Sequence, residues 1–94
     1  MPFYYTKAEK ERALKAISSA KKIYFITLYK TPRNKKYLMA FIIKDNEVQD
    51  VTKEVAALLN AVYRPPILKV SGNINSEILH GVKAVFLPSI WEKD

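Results

Sequence analysis

The sequence predicts one small α+β domain, and three observations carry that prediction. At 94 residues the chain has room for a single core. Two runs dense in β-branched and aromatic residues, 23–29 and 37–43, follow one another across a polar stretch, as antiparallel partners do. Segments with helical spacing precede and follow them. The expected order is an N-terminal helix, an antiparallel strand pair plus a short third strand, a helix, a short strand, and a C-terminal helix or strand, all on one small sheet spanning 1–94.

Thr6-Lys7-Ala8-Glu9 has the T-x-x-E form of a capping box, so a helix is expected from Lys7. Ala13, Leu14, Ile17 and Ala20 make its narrow apolar stripe, which lays it on a sheet. Ile23 to Tyr29 and Tyr37 to Ile43 are apolar on both alternating sets, the pattern of strands covered on both faces or nearly so. Lys44-Asp45-Asn46 signals a turn, and Glu47 to Val51 a short polar strand suited to a sheet edge. Asp50 or Thr52 is placed to cap a second helix with Val55, Leu58, Leu59 and Val62 on its apolar face, ended by Pro65-Pro66. Ile67 to Val70 then forms a short strand that stops at Ser71-Gly72. Ser76 to Phe86 places Ile78, Leu79, Val82, Val85 and Phe86 at helical spacing, although Gly81 costs about 1 kcal/mol there and 82–87 also reads as a strand. Helix is the expectation, ended by Pro88, with Ile90 and Trp91 folding back as a tail.

Composition excludes several classes of function. Hydrophobic residues at 49% and charged residues at 27% describe an ordinary folding chain rather than a disordered one. Tyrosine aside, the longest apolar run is the six residues from Leu38 to Ile43, against roughly 20 for a membrane span. The N-terminus has no basic region ahead of an apolar stretch, so the cytoplasm is the expected location, with no membrane partner. The absence of cysteine removes disulfides, thiolate metal sites and a thiol nucleophile.

The net charge of +7 is unevenly placed. Residues 1–36 hold ten Lys and Arg against Glu9 and Glu11, whereas residues 37–94 hold six against seven acidic groups. The excess therefore sits in the first helix and the loop between the first two strands, and it points to nucleic acid or an acidic protein surface as partner. The candidate binding residues are Arg12, Lys15 and Lys22 near the helix, and Lys30, Arg33, Lys35 and Lys36 in the loop, with Tyr29 and Tyr37 flanking it. Cations hold phosphates and flat rings stack on bases. A solvated hairpin tip whose tyrosines pair across the strands explains the same residues without a partner.

Two common nucleic-acid modules fit poorly. A double-stranded-RNA-binding domain needs lysines at the start of its second helix, where only Lys53 stands, and an RNA-recognition motif needs a glycine-containing aromatic strand, whereas Gly72 and Gly81 are the only glycines. His80 has only Glu77 nearby to orient it and reads as structural. Asp45, Glu47 and Asp50 read as solvated carboxylates rather than a metal site. No phosphate-binding glycine loop is present, so no enzyme, cofactor or metal is expected.

Lys44-Asp45-Asn46-Glu47, Val55-Ala56, Val70-Ser71-Gly72 and His80 fall in an order that resembles a group of uncharacterised small phage-encoded proteins with a Val-Ser-Gly…His motif. The likeness covers roughly 22–87 and departs at Asn73 to Leu79, where those proteins carry a glycine- and methionine-rich stretch. The resemblance implies origin in a phage or other mobile element. The expectation is then a small non-enzymatic binding protein using the helix and hairpin as one basic patch. The alternative is an anti-defence, anti-CRISPR-like inhibitor that binds a host protein through Phe3, Tyr4, Tyr5 and Trp91. A homodimer through an edge strand is a third arrangement.

Overall fold

The computed structural model describes residues 5–33 and 35–87. Its elements are α1 (Lys7–Ser18), β1 (Lys22–Lys30), β2 (Lys35–Lys44), β3 (Glu47–Asp50), α2 (Thr52–Leu59), β4 (Val62–Arg64), β5 (Ile67–Ser71) and β6 (Lys83–Leu87). They make a six-stranded mixed sheet in the order β4-β5-β2-β1-β6, with β3 added to β2. The α+β architecture is as expected. No described helix is long and apolar enough to cross a membrane.

The capping box forms: Glu9 N donates to Thr6 Oγ1 at 3.1 Å, and Thr6 N donates to Glu9 Oε1 at 3.0 Å. The Thr6 amide, then the Thr6 hydroxyl, hold the Glu9 carboxyl below its ordinary pKa, with Lys53 and Arg12 helping and slight desolvation opposing. The ionised contact therefore stabilises the fold above the ordinary carboxylate pKa, and its contribution is lost as pH falls through the lowered value. The Tm difference between wild type and Glu9→Gln is expected to narrow as the pH is taken from 7 to below about 4.

The long strand β2 organises the sheet. One edge pairs with β1; the other is shared, with Lys35 to Leu38 against β5 and Phe41 to Lys44 against β3. The gap between those two partners falls at Ala40, whose main chain would be left unpaired there. Thr52 closes it. Its buried hydroxyl accepts from Ala40 N at 3.0 Å and donates to Ala40 O at 3.1 Å, and Val51 N donates to the same carbonyl. The N-cap of α2 is Val51, without a side-chain cap bond, and not the expected Asp50 or Thr52; Asp50 Oδ1 accepts from Thr52 N at 2.8 Å, and Thr52 anchors α2 to the sheet. Thr52→Val leaves the Ala40 amide buried without a partner and is expected to cost about 1–3 kcal/mol in urea denaturation, with Thr52→Ser recovering most of it.

Both helices pack on one face. Ala13 and Ile17 of α1 and Val55, Ala56 and Ala57 of α2 are buried, and Ile17, Val55 and Ala56 join Ile23, Phe25, Leu38, Ala40, Ile42, Leu68 and Val70 in one cluster. Residues 72–82 cross from β5 to β6 on the same side, adding Ile74, Leu79 and Val82. Both helices and the 72–82 connection thus lie on one face of β1 and β2, and among the described residues no element packs on the other.

Three further expectations are corrected. The second helix ends at Leu59, not at the prolines, because Asn60 takes the left-handed conformation (φ 51°) that favours asparagine at a helix end. Val62 accordingly lies in β4, and Pro65-Pro66, joined by a cis peptide bond, form the turn between β4 and β5. No helix spans 76–86. His80 and Gly81 both have positive φ (55° and 86°), which stops helical continuation, and Lys83 to Leu87 instead pair in parallel with β1. The tail at Ile90 and Trp91 lies outside the described residues. Two predicted features are met: Asp45 and Asn46 form a two-residue turn with both φ positive, and β3 is an exposed edge.

Candidate nucleic-acid interface

The β1–β2 hairpin closes over a short loop. Thr31 N donates to Lys35 O at 2.8 Å, and Lys35 N donates to Thr31 Oγ1 at 3.2 Å, which ties the two strands together on either side of the loop. Lys30 stands directly opposite Lys36, and Tyr29 opposite Tyr37 with ring centroids 5.7 Å apart.

That last pairing depends on a bulge. Thr27 faces Leu38 but Tyr29 faces Tyr37, so β1 spends one extra residue, Leu28, on this interval. Strict alternation would put Tyr29 on the helix side with Phe25. The bulge turns it to the uncovered face, where it is 61% exposed.

Neighbouring strands add to this end of the sheet. Lys69 of β5 faces Tyr37 and holds its Nζ 5.9 Å from that ring centroid. On the helix side, Lys36 Nζ lies 5.6 Å from the ring of Phe86, which stacks on Phe25 and is half exposed. Such contacts hold a cation beside a ring without neutralising it. Lys35 and Lys69 thus share the face of Tyr29 and Tyr37, Lys30 and Lys36 share the face of Phe86, and Arg33 lies in the loop between the strands.

The other expected residues lie elsewhere. Lys22 begins β1 and Lys30 ends it, about 26 Å away at the usual rise of ~3.3 Å per residue. Lys15 is in the last turn of α1, which leads through residues 19–21 to Lys22 at the start of β1. Arg12 lines the groove between the helices, beside Lys53 and Glu54 of α2. The helix and the hairpin loop therefore do not form the single patch expected from their adjacency in sequence.

Lys69 and Phe86 were not among the expected residues. Both arrive through non-local strand pairing, and β6 lay in a segment whose spacing suggested helix. Tyr24 and Phe41, which stack at 5.6 Å on the uncovered face, were also missed. Their signal was present: both strands are apolar on both alternating sets.

The remaining candidates show little convergence. His80 is exposed in a turn, its amide donating to Glu77 O at 3.2 Å. Asp45, Glu47 and Asp50 are spread along the β2–β3 turn and β3, and among the described residues no group of three or more His, Asp or Glu is placed to hold a metal ion. Tyr5 is half-buried against the core, its hydroxyl donating to Ala61 O at 2.6 Å, and burial raises its pKa. Phe3, Tyr4 and Trp91 lie outside the described residues. The chain matches no protein-family model, and neither curated proteins nor solved structures provide a match.

Proposed function

We propose that the protein binds nucleic acid, without chemistry of its own, through the hairpin end of the sheet. The observation that carries this reading is a cluster of cations with no carboxylate in the segments that supply it. Lys30, Arg33, Lys35, Lys36 and Lys69 come from segments that hold no carboxylate: no Asp or Glu occurs from Arg12 to Lys44, nor from Val55 to Ser76.

Like charges directly across strands destabilise a sheet, and Lys30 opposite Lys36 is such a pair. A polyanion relieves that repulsion, and phosphates are met by lysine and arginine in this way. The adjacent Tyr29 and Tyr37 add flat rings for bases. Asp45, Glu47 and Asp50 gather instead toward the opposite end of β2, which leaves the hairpin end the more basic of the two.

The direct test is retention on an immobilised oligonucleotide with a salt gradient. Wild-type protein is expected to bind at low salt and to elute as salt rises; passage without retention at low salt sinks the proposal.

A further inference from the structure

We infer that the sheet face away from the two helices is a stacking platform for single-stranded nucleic acid, running from the hairpin end toward the start of β1. The inference rests on the nucleic-acid reading above and adds the class of ligand.

The alternation of β1 and β2 puts Tyr24, Ile26, Tyr37, Met39 and Phe41 on the face away from the helices, and the bulge at Leu28 adds Tyr29. All are at least partly exposed. The rings form two cross-strand pairs, Tyr29 with Tyr37 and Tyr24 with Phe41. Tyr37 and Phe41 are about 13 Å apart along β2, at the usual rise per residue, with the Ile26 and Met39 row between them. Sheet platforms that stack two or three unpaired bases use rings spread over one face in this manner.

Charge identifies the occupant. Lys35 and Lys69 flank the Tyr37 ring at one end of the face, and Lys22 and Lys83 stand opposite each other at the far end. Among the described residues the acidic group in register on this face is Asp50, opposite Phe41, and its Oδ1 already accepts from Thr52 N. A row of rings with cations at both ends suits a strand whose phosphates are charged and whose bases are free to stack. In a duplex the base faces are occupied by neighbouring bases, so the rings gain nothing from it.

The test compares a labelled 12-nucleotide pyrimidine strand with the duplex it forms, using fluorescence anisotropy. Wild type is expected to bind the single strand more tightly. Tyr24→Leu with Phe41→Leu keeps the apolar area and removes the rings; Tyr29→Leu does so at a position too exposed to matter for the core. Each variant is expected to lose about 5- to 100-fold in single-strand affinity, with the salt dependence and the duplex affinity unchanged. Equal or tighter duplex binding, or single-strand affinity unaffected by both variants, overturns the platform while leaving the hairpin site standing. Absence of binding to either nucleic acid removes both. If sedimentation shows a dimer that Tyr24→Glu with Phe41→Glu dissociates while single-strand affinity is unchanged, the face belongs to a second copy and the platform is wrong.

Discussion

Ile17→Ala combined with Phe25→Ala is expected to leave the protein largely unfolded at 25 °C. Ile17 is the residue through which α1 is clamped to the sheet, and Phe25 lies at the middle of β1, stacked on Phe86 at 5.3 Å; they are 1% and 0% exposed. Isoleucine and phenylalanine truncations in a core cost about 2–5 and 3–5 kcal/mol respectively. A domain of this size has about 5–15 kcal/mol in total. Leu14, on the same helical stripe but only half-buried, is expected to cost clearly less as Leu14→Ala. Urea denaturation followed by circular dichroism checks both. A cooperative transition near the wild-type midpoint in the double variant would show that the helix layer is not seated on this face.

The hairpin cations should behave in the opposite way. Arg33→Gln, Lys35→Gln and Lys36→Gln together are expected to reduce single-strand affinity by about 100-fold at ~0.1 M salt, from three lost phosphate contacts worth about 0.7 each in the log–log salt slope. Melting is expected to hold or rise slightly, because removing the Lys36 charge relieves its repulsion with Lys30 across the strands. Arg12→Gln with Lys15→Gln, which changes the basic surface of α1 by a similar charge, is expected to alter affinity far less. Equal losses from the two sets would mean that general positive charge, and not the hairpin end, attracts the ligand.

Local chemistry in this protein was legible where a few neighbouring residues decide the outcome. Thr6 and Glu9 close the capping box, Asp45-Asn46 makes the tight turn, and the polar strand 47–50 lies at an edge. Asn60 was as local a signal as these, but Pro65-Pro66 drew attention as the stronger helix stop. What stayed undecided or escaped depends on distant partners. Residues 83–87, which read as helix or strand from their spacing, are a strand because the free edge of β1 accepts them, and periodicity alone cannot report an edge. The pairing of Tyr29 with Tyr37 across the strands was legible, but the bulge at Leu28 that sets which face the pair occupies follows from the register between two strands and was not.

The candidate site was half legible for the same reason. Charge density marked the hairpin loop correctly as a basic element, but adjacency in sequence was taken for adjacency in space. A nine-residue strand carries Lys22 to the opposite end of the sheet from Lys30. Apolar runs on both faces of β1 and β2 were read as a sign of double cover. The two described helices both lie on one side, and no described element packs on the other.

The most direct measurement is the slope of log affinity against log salt for a labelled single strand, taken on wild type and on the Arg33, Lys35 and Lys36 glutamine variant together. Wild type is expected to give a slope of about −2 or steeper, and the variant one shallower by about 2, as counterion release from three phosphates requires. Binding whose slope is the same in both proteins, or no binding by wild type at low salt, would contradict the assignment of the hairpin end as a nucleic-acid site.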